Sequence, residues 1–250
     1  EVIKGPASAL YGSGLGGNIN LYTPAPDRNS LQATLQHGSY NTTKASAGGS
    51  YRCDNLSLWG YLSHLRSDGY RENSRHNRTS LLSSGTWRKP AYTIEYTLML
   101  MDLDAGIPSS IGKTLYETNP RAAATNWNEV KGYKAYQRAI GGITVENRFT
   151  SRNTNQYSND SLNGWSNRFT LFGRGTDSYE RRPFNNLDDG TAGAGIRNKL
   201  SYHTDRWDAL LGVEWMSDTY RCQMELDGEL INKNRERRGH ANLFGMIYWR

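Results

Sequence analysis

Residues 207–215 read WDALLGVEW, and this stretch alternates apolar with polar or small side chains. The apolar positions run from Trp207 to Trp215 in steps of two, whereas Asp208 and Glu214 fall between them. A period of two residues is typical of a β-strand whose two faces meet different surroundings. The stretch therefore predicts a strand with one apolar face and one polar face.

The same alternation recurs along the chain after about residue 30. Strands that cross a bilayer at a tilt need about 9–11 residues, whereas strands of soluble sandwiches average about five or six. The predicted segments are mostly of the longer kind, so we predict an all-β fold with transmembrane antiparallel strands. They lie near 30–37, 42–51, 56–66, 77–88, 92–104, 136–149, 166–178, 191–203, 206–220 and 240–249.

The connections between these segments alternate between tight and long. CDN, KPA and HTDR read as tight polar turns, whereas DGYRENSRH, the stretch 105–134, SYERRPFNNLDDG and MELDGELINKNRERRG read as long loops. Short turns at one end and long loops at the other are typical of outer-membrane barrels. Within the third long loop, Asp188, Asp189 and Gly190 could contribute to a calcium site, but Asp-Gly more often forms a turn, which is our prediction.

Composition agrees with a barrel and excludes several other classes. The mean hydropathy is −0.77 and the chain has 16 Tyr and 7 Trp, which fits strands that alternate polar and apolar residues and carry aromatic girdles, although aromatics are favoured in strands generally. The chain has no apolar run of about 18 residues, so no transmembrane helix is predicted. The formal net charge is +6 with dispersed basic residues, so we expect no nucleic-acid binding.

No metal site or disulfide is expected from the cysteines and histidines. Cys53 and Cys222 lack metal-ligand spacing, and the five histidines are scattered. In the predicted topology the two cysteines lie at opposite ends of strands, about 30 Å apart. That separation is far beyond the Cα spacing of about 6 Å that a disulfide accepts.

The first residues, EVIKGPASALYGSGLGGNINLYT (1–23), contain four closely spaced glycines. They follow a short helical run at 7–11 and precede a strand-like run at 18–22, whereas a dinucleotide fingerprint needs strand, glycines and then helix. A P-loop would need a lysine after the glycines, but the next one is Lys44. The glycines are therefore expected to form a tight turn with positive φ.

This stretch resembles the C-terminal end of the plug domain of TonB-dependent outer-membrane receptors, which reads approximately E-V-hydrophobic-(K/R)-G-P-x-S-x-(L/Y)-(Y/F)-G-x-G-x-x-G-G-x-I-N. The double glycine Gly16-Gly17 and the pair Gly5-Pro6 depart from the glycan-importing branch, whose ending is nearer GAASALYGSRGANGVI. The residues that match the pattern are Glu1, Val2, Lys4, Gly5, Pro6, Ser8, Tyr11, Gly12, Gly17, Ile19 and Asn20.

The resemblance implies a plug inside a barrel of about 22 strands. Residues 1–27 would be the C-terminal end of the plug, and residues 28–250 would supply about ten strands, the N-terminal portion of the barrel. It also implies a location in the outer membrane of a Gram-negative bacterium, contact with outer-membrane lipid and lipopolysaccharide, and energy from TonB through a plug segment that would precede this chain. Transport of this kind needs no cofactor and no catalytic residues, so no enzyme is expected.

DGYRENS, LDAGIPSS, NPRAAATNW and SYERRPFN resemble stretches of ferric-siderophore receptors, particularly those of Bacteroidetes. The expected function is therefore uptake of a ferric siderophore or a similar iron chelate. Haem, cobalamin or glycan import by the same architecture stays open, as does a secreted all-β adhesin or carbohydrate-binding module. Arginine forks suit anionic chelates, and aromatic rings suit catecholates. The candidate ligand-binding residues in the long loops are Arg71, Arg75, Arg121, Arg181, Arg182, Tyr70, Trp127 and Tyr179; the alternative is that these arginines bind lipopolysaccharide or merely solvate the surface.

Overall fold

The computed structural model describes residues 2–4, 17–23, 26–150 and 164–249. Two short strands near the start, β1 (Val2–Lys4) and β2 (Gly17–Ile19), pair with each other in antiparallel fashion. The other described strands form one ten-stranded sheet. They are β3 (Ser30–Gly38), β4 (Thr42–Cys53), β5 (Leu56–Ser67), β6 (His76–Arg88), β7 (Tyr92–Gly106), β8 (Tyr133–Thr150), β9 (Gly164–Arg181), β10 (Asn186–His203), β11 (Trp207–Leu226) and β12 (Glu229–Trp249).

Each strand of the large sheet pairs antiparallel with its neighbour in sequence, from β3 at one edge to β12 at the other. All ten predicted segments are confirmed, one per strand. The strands from β8 onward extend over 18 to 21 residues, which is long even for a tilted membrane strand. Strands β3 to β12 form a single broad sheet instead of the two packed sheets of a sandwich, which argues against the adhesin alternative.

Cross-strand register gives the sheet two chemically different faces. Leu171, Ile196 and Trp215 form one row across β9, β10 and β11, and each is about half exposed. Arg197 and Glu214 form the neighbouring row, which points to the opposite side. We call these sides the apolar face and the charged face. The large apolar side chains of the apolar face are therefore exposed in the described chain, whereas a water-soluble sheet protein buries such side chains in a core.

Aromatic side chains gather where the strands end in short connections. Trp87 and Tyr92 flank the β6–β7 connection with ring centroids 5.8 Å apart. At the same end, the ring of Tyr202 lies 4.7 Å from that of Trp165 and 5.3 Å from that of Trp207. All five belong to the apolar face by register. The arrangement resembles the aromatic girdle expected from the sequence at one end of the strands.

Two of the long loops predicted from the sequence are wrong, because the structure has short connections there. The β9–β10 connection spans only 182–185, and the β11–β12 connection only 227–228. The second is a two-residue hairpin turn, since Asp227 (φ 51°) and Gly228 (φ 83°) both have positive φ, as a type I′ turn requires. Asp188, Asp189 and Gly190, predicted to form a turn, lie within β10. These segments are polar on both faces, which hid their strand character from the alternation pattern.

The β7–β8 connection, 107–132, contains two short helices, α1 (Lys113–Thr118) and α2 (Thr125–Glu129). In the part of the chain that the structure describes, no helix has the length and apolar character needed to cross a membrane.

The glycine-rich stretch lies mostly outside the described residues. These include Gly5, Pro6, Ser8, Tyr11, Gly12 and Gly16 of the plug motif. Gly17, the first residue of β2, has the expected positive φ, at 116°, whereas the expected turn itself falls outside the described residues. Strand β1 pairs with β2 from Val2 opposite Ile19 to Lys4 opposite Gly17, and Asn20 directly follows β2.

Candidate functional site

All eight candidate ligand-binding residues lie at one end of the large sheet. Tyr70, Arg71 and Arg75 belong to the β5–β6 connection, 68–75. Arg121 and Trp127 belong to the 107–132 connection, which leaves the sheet at the same end. The last three are Tyr179, Arg181 and Arg182, at the end of β9 and the start of the connection that follows it.

Hydrogen bonds join the 68–75 and 107–132 connections into one unit. The Arg71 guanidinium donates through Nε and Nη2 to the carbonyl oxygen of Ala122, at 3.0 Å and 2.8 Å. Asn73 Nδ2 donates to the carbonyl oxygens of Ile107 and Gly132, at 2.9 Å and 2.7 Å. Ala122 is buried by these contacts. Arg71 therefore has a structural role in these connections.

Arg121 is also held by its surroundings. Its Nε donates to the carbonyl oxygen of Tyr70 at 3.1 Å, and its guanidinium lies 5.8 Å from the ring centre of Tyr40 and 5.9 Å from that of Tyr70. Those two rings pack edge to face at 5.5 Å. A cation between two aromatic rings is stabilised by their electron-rich faces, so Arg121 anchors the β3–β4 turn to the loops.

Trp127 connects the helical loop to the β9–β10 connection. Its ring packs edge to face against Phe184 with centroids 6.3 Å apart. A β-carbon added at Gly132 would lie 2.4 Å from Trp127 Cε3 and 3.2 Å from the carbonyl oxygen of Arg181. Only glycine leaves space for the indole at this point. Trp127 is thus a packing residue between these two connections.

A cavity of about 420 Å³ opens beside these loops. Three of its side chains are cationic, Arg75, Lys131 and Arg181, while Asp68 is its one carboxylate. We call it the basic cavity. Its lining consists of Asp68, Asn73, Ser74, Arg75, Lys131, Tyr133 and Arg181.

Aromatic and acidic neighbours shape the basic cavity. Arg75 forms an ion pair with Asp104 at 2.8 Å and lies 5.9 Å from the ring centre of Tyr133. The ring of Tyr133 is 5.9 Å from that of Tyr179. Among the described residues, Arg181 has no acidic partner for its guanidinium. It is the candidate arginine best placed to meet an anion.

Arg181 and Arg182 lie toward different faces of the sheet. Tyr133 lies opposite Arg181 in the register, whereas Lys134 lies opposite Glu180 on the charged face. Arg182 binds Glu180 with both ends of its fork, Nε at 2.8 Å and Nη2 at 3.2 Å. Lys134 Nζ donates to the same carboxylate at 3.2 Å. The Arg182 guanidinium is therefore already paired with a carboxylate, unlike that of Arg181.

A lattice of ion pairs covers the charged face nearer the short connections. Arg168 bridges Glu95 and Glu146, at 2.5 Å and 2.9 Å, and Arg148 reaches Glu146 at 3.1 Å. Residues 21–23 lie against this face and, with Arg168 and Glu95, line a cavity of about 390 Å³. The alternation in the sequence predicts that several of these charged side chains lie on one side of the strands. It does not predict which of them form ion pairs, because that depends on the register between strands.

Comparison with known proteins gives the architecture a family context. No protein-family model and no curated protein matches the sequence. Solved structures do match. The copper transporter OprC has a TM-score of 0.70 and 16% sequence identity, and the match covers 99% of this chain and 39% of that one. The ferripyoverdine receptor of the outer membrane of Pseudomonas aeruginosa has a TM-score of 0.67 and 11% identity, with coverage of 97% of this chain and 38% of that one. The siderophore receptor PiuA from Acinetobacter baumannii has a TM-score of 0.62 and 14% identity, with coverage of 98% of this chain and 42% of that one.

The fold of the chain is similar to part of the β-sheet of these outer-membrane transport proteins. The chain spans about two fifths of the length of these receptors. Its ten strands match about 40% of each of these longer chains. In transmembrane barrels, an apolar strand face of this kind meets lipid and a polar face lines the lumen.

Proposed function

We propose that the chain is part of a TonB-dependent receptor that imports a ferric siderophore or a similar anionic iron chelate across the bacterial outer membrane. Residues 1–27 would form the end of the plug, and residues 28–250 would form the first part of the barrel. The observation that carries the transport proposal is the receptor-type sheet with a charged face against which residues 21–23 lie. A plug segment inside a barrel would make this contact.

The basic cavity lies at the loop end on the side of the apolar face, because Tyr133, Tyr179 and Arg181 share that side by register, so it supports a first external contact with an anionic cargo. Arg75, Lys131 and Arg181 converge on it beside the rings of Tyr133 and Tyr179. Guanidinium forks bind carboxylates and other planar anionic groups through paired hydrogen bonds, and aromatic rings can stack on an aromatic chelator. A ferric chelate that is wider than the cavity would touch it with one anionic edge, and the rest would reach neighbouring loops.

A second candidate cargo is copper, because OprC, whose structure is similar over nearly the whole chain, is described as a copper transporter. Within the described residues there is no group of three or more His, Cys, Asp or Glu side chains arranged to hold a metal ion. The iron-chelate proposal rests on the basic cavity and on the resemblance of the loop sequences.

Uptake by cells tests the proposal directly. The complete protein that contains this chain would be expressed in a host that lacks its own siderophore receptors, with and without TonB. We expect TonB-dependent accumulation of radiolabelled iron from a panel of ferric catecholates, hydroxamates and citrate, and cell-surface binding that survives loss of TonB. Copper, haem and cobalamin form the comparison panel. Accumulation of one of these instead would overturn the iron assignment, and a protein found outside the outer membrane would overturn the transport proposal.

Residue contributions are tested with a matched pair of variants. Arg181→Gln removes a cation of the basic cavity that lacks an acidic partner, so we expect about tenfold weaker binding of the ferric chelate. Arg182→Gln removes the same charge one residue away, but from a guanidinium already bound to Glu180, and should leave affinity within about twofold. Equal effects of the two changes would contradict a role for the basic cavity.

A further inference from the structure

Three polar side chains lie side by side on the charged face, near the long-connection end of the sheet. In the cross-strand register, Ser178 of β9 lies directly opposite Asp189 of β10, and Asp189 lies directly opposite Cys222 of β11. Asp189 and Cys222 are an even number of residues from Arg197 and Glu214, so they point to the same side. We call these three residues the Asp189 row. Directly opposite residues have β-carbons about 4.5–5.5 Å apart, so Asp189 can reach both of its neighbours.

The polar atoms of the Asp189 row are buried, and two of them have no partners. Ser178 is only 6% exposed, and its hydroxyl has no hydrogen-bond partner in the part of the chain that the structure describes. The same holds for Oδ1 of Asp189, which is itself buried. Cys222 is also 6% exposed, and its thiol forms no disulfide. Because buried polar atoms nearly always have partners, this row needs an explanation.

The charge of Asp189 sharpens the question. The preceding carboxylate, Asp188, points to the apolar face and pairs with Arg221 at 3.4 Å. Among the described residues, by contrast, no Lys or Arg side chain pairs with Asp189. A carboxylate withdrawn from water is costly unless a positive charge accompanies it. A water molecule would satisfy the hydrogen bonding of Oδ1 but would leave the negative charge unbalanced.

The cations on the charged face around this row are already engaged. Arg182 and Lys134 share the carboxylate of Glu180, at 2.8 Å and 3.2 Å. Arg138 donates through Nε to the hydroxyl of Thr176, at 3.2 Å. The described chain therefore does not supply the positive charge that Asp189 needs, and a bound cation would supply it.

The donor atoms of the row indicate which cation fits. Zn²⁺ accepts thiolate sulfur and carboxylate oxygen in the same site. Ca²⁺ and Mg²⁺ take oxygen ligands and would make no use of Cys222, whereas Cu⁺ favours several sulfur ligands and the row has one. These ligands lie on neighbouring strands, so they have no characteristic spacing in the sequence. For this reason the spacing of the cysteines gave no sign of a metal site.

We propose that Asp189 and Cys222, with the hydroxyl of Ser178 as a weaker oxygen donor, bind a thiophilic divalent cation such as Zn²⁺ on the charged face. The cation takes the place of the thiol proton, which passes to solvent, and its charge balances the carboxylate. The described residues hold no group of three or more His, Cys, Asp or Glu side chains suited to a metal ion. The site is therefore open, and its cation should exchange readily. It is a site for a free ion and does not depend on the iron-chelate cargo proposed above.

Zinc titration tests the proposal. The complete protein that contains this chain would be purified in detergent, freed of metal with a chelator, and titrated with Zn²⁺ and with Ca²⁺ by calorimetry. We expect a Zn²⁺ site that Cys222→Ser and Asp189→Asn each weaken by about tenfold, and that Ca²⁺ does not fill. Cd²⁺ should add an ultraviolet thiolate-to-metal absorption band, and this band should be missing from the Cys222→Ser variant.

Matched variants show whether the loss is specific. Cys53→Ser removes the other cysteine, which is exposed, and Asp188→Asn removes a carboxylate one residue away on the opposite face. Neither change should alter Zn²⁺ affinity. In the unaltered protein, Zn²⁺ should slow maleimide labelling of Cys222 but not of Cys53, a comparison that does not depend on how a variant folds.

Three results would overturn the metal site. They are Zn²⁺ binding that survives both Cys222→Ser and Asp189→Asn, equal affinity for Ca²⁺, and labelling of Cys222 that Zn²⁺ leaves unchanged. In each case the transport proposal would stand, because uptake of a ferric chelate is measured separately.

Discussion

The Arg71 guanidinium and the carbonyl oxygen of Ala122 form a two-pronged hydrogen bond between connections that are far apart in sequence. Hydrogen bonds to a charged donor are worth about 1.5–3 kcal/mol. We therefore expect Arg71→Ala to loosen the 107–132 connection by about 1–3 kcal/mol of local opening free energy. Hydrogen exchange at 119–124 is the measurement.

The matched control is Lys113→Ala, which removes an exposed cation from α1 in the same connection. Its contact with Glu117 is long, at 3.8 Å, and exposed pairs of this kind contribute little. If hydrogen exchange at 119–124 becomes equally faster in both variants, Arg71 has no special anchoring role.

Gly132 marks a second constraint on the same loops. A methyl group there would lie 2.4 Å from the Trp127 ring, so we expect Gly132→Ala to displace the indole and cost about 1–3 kcal/mol through overpacking. Gly112→Ala is the control, since no atom lies within 4 Å of the added carbon. Trp fluorescence and thermal unfolding should change only in the Gly132 variant. An unaltered Gly132 variant would mean that the loop adjusts freely.

Phe244 covers Gly212 on the charged face. Phe244 is buried, and a β-carbon at Gly212 would lie 2.2 Å from Phe244 Cζ. The ring also lies 4.7 Å from the Arg197 guanidinium. We expect Gly212→Ala to push the ring away and lower unfolding stability by about 1–3 kcal/mol. Gly239→Ala, in open space on β12, should have almost no effect on denaturant unfolding, and a similar loss in both would point to backbone entropy instead.

Arg168 holds two carboxylates that would otherwise repel each other. We expect Arg168→Gln to lower unfolding stability by about 1 kcal/mol, a modest value because these side chains are partly exposed and screened. Arg148→Gln, which affects Glu146 alone, should cost less. The difference between the variants should shrink in high salt. An effect of Arg168→Gln that is independent of salt would argue for lost packing instead of lost charge.

The two cysteines should behave as separate thiols. Cys53 is exposed at the short-connection end of β4, and Cys222 is buried near the other end of β11. We expect a maleimide to label Cys53 rapidly and Cys222 only slowly, without prior reduction. A mass that reveals an intramolecular disulfide would contradict this topology.

The strand content was predictable because alternation persists wherever one face meets an apolar environment. The stretch from Trp207 to Trp215 shows this most clearly, and each of the ten segments became a strand. The ends of strands β9 to β12 were not predictable in the same way. There Arg221 pairs with Asp177 and Asp188 on the apolar face itself, so both faces are polar and the period of two disappears from the hydropathy pattern.

The candidate site was predictable in position but not in detail. Long polar connections placed the arginines and aromatics at one end of the sheet. Sequence could not separate Arg181 from Arg182, since their different partners follow from which face each one meets. Nor could it predict that Arg71 and Arg121 would bind backbone carbonyls of distant loops, because such contacts depend on how the connections fold over one another.

Strand number has a consequence for the two ends of the large sheet. Ten antiparallel strands are an even number, so Ser30, where β3 begins, and Trp249, where β12 finishes, lie at the same end. In a membrane, the segment before β3 and whatever chain continues past β12 then share one compartment, opposite the helices α1 and α2. Reporters fused at these two places would respond alike to any reagent that cannot cross the bilayer, and a reporter in 113–118 would respond oppositely.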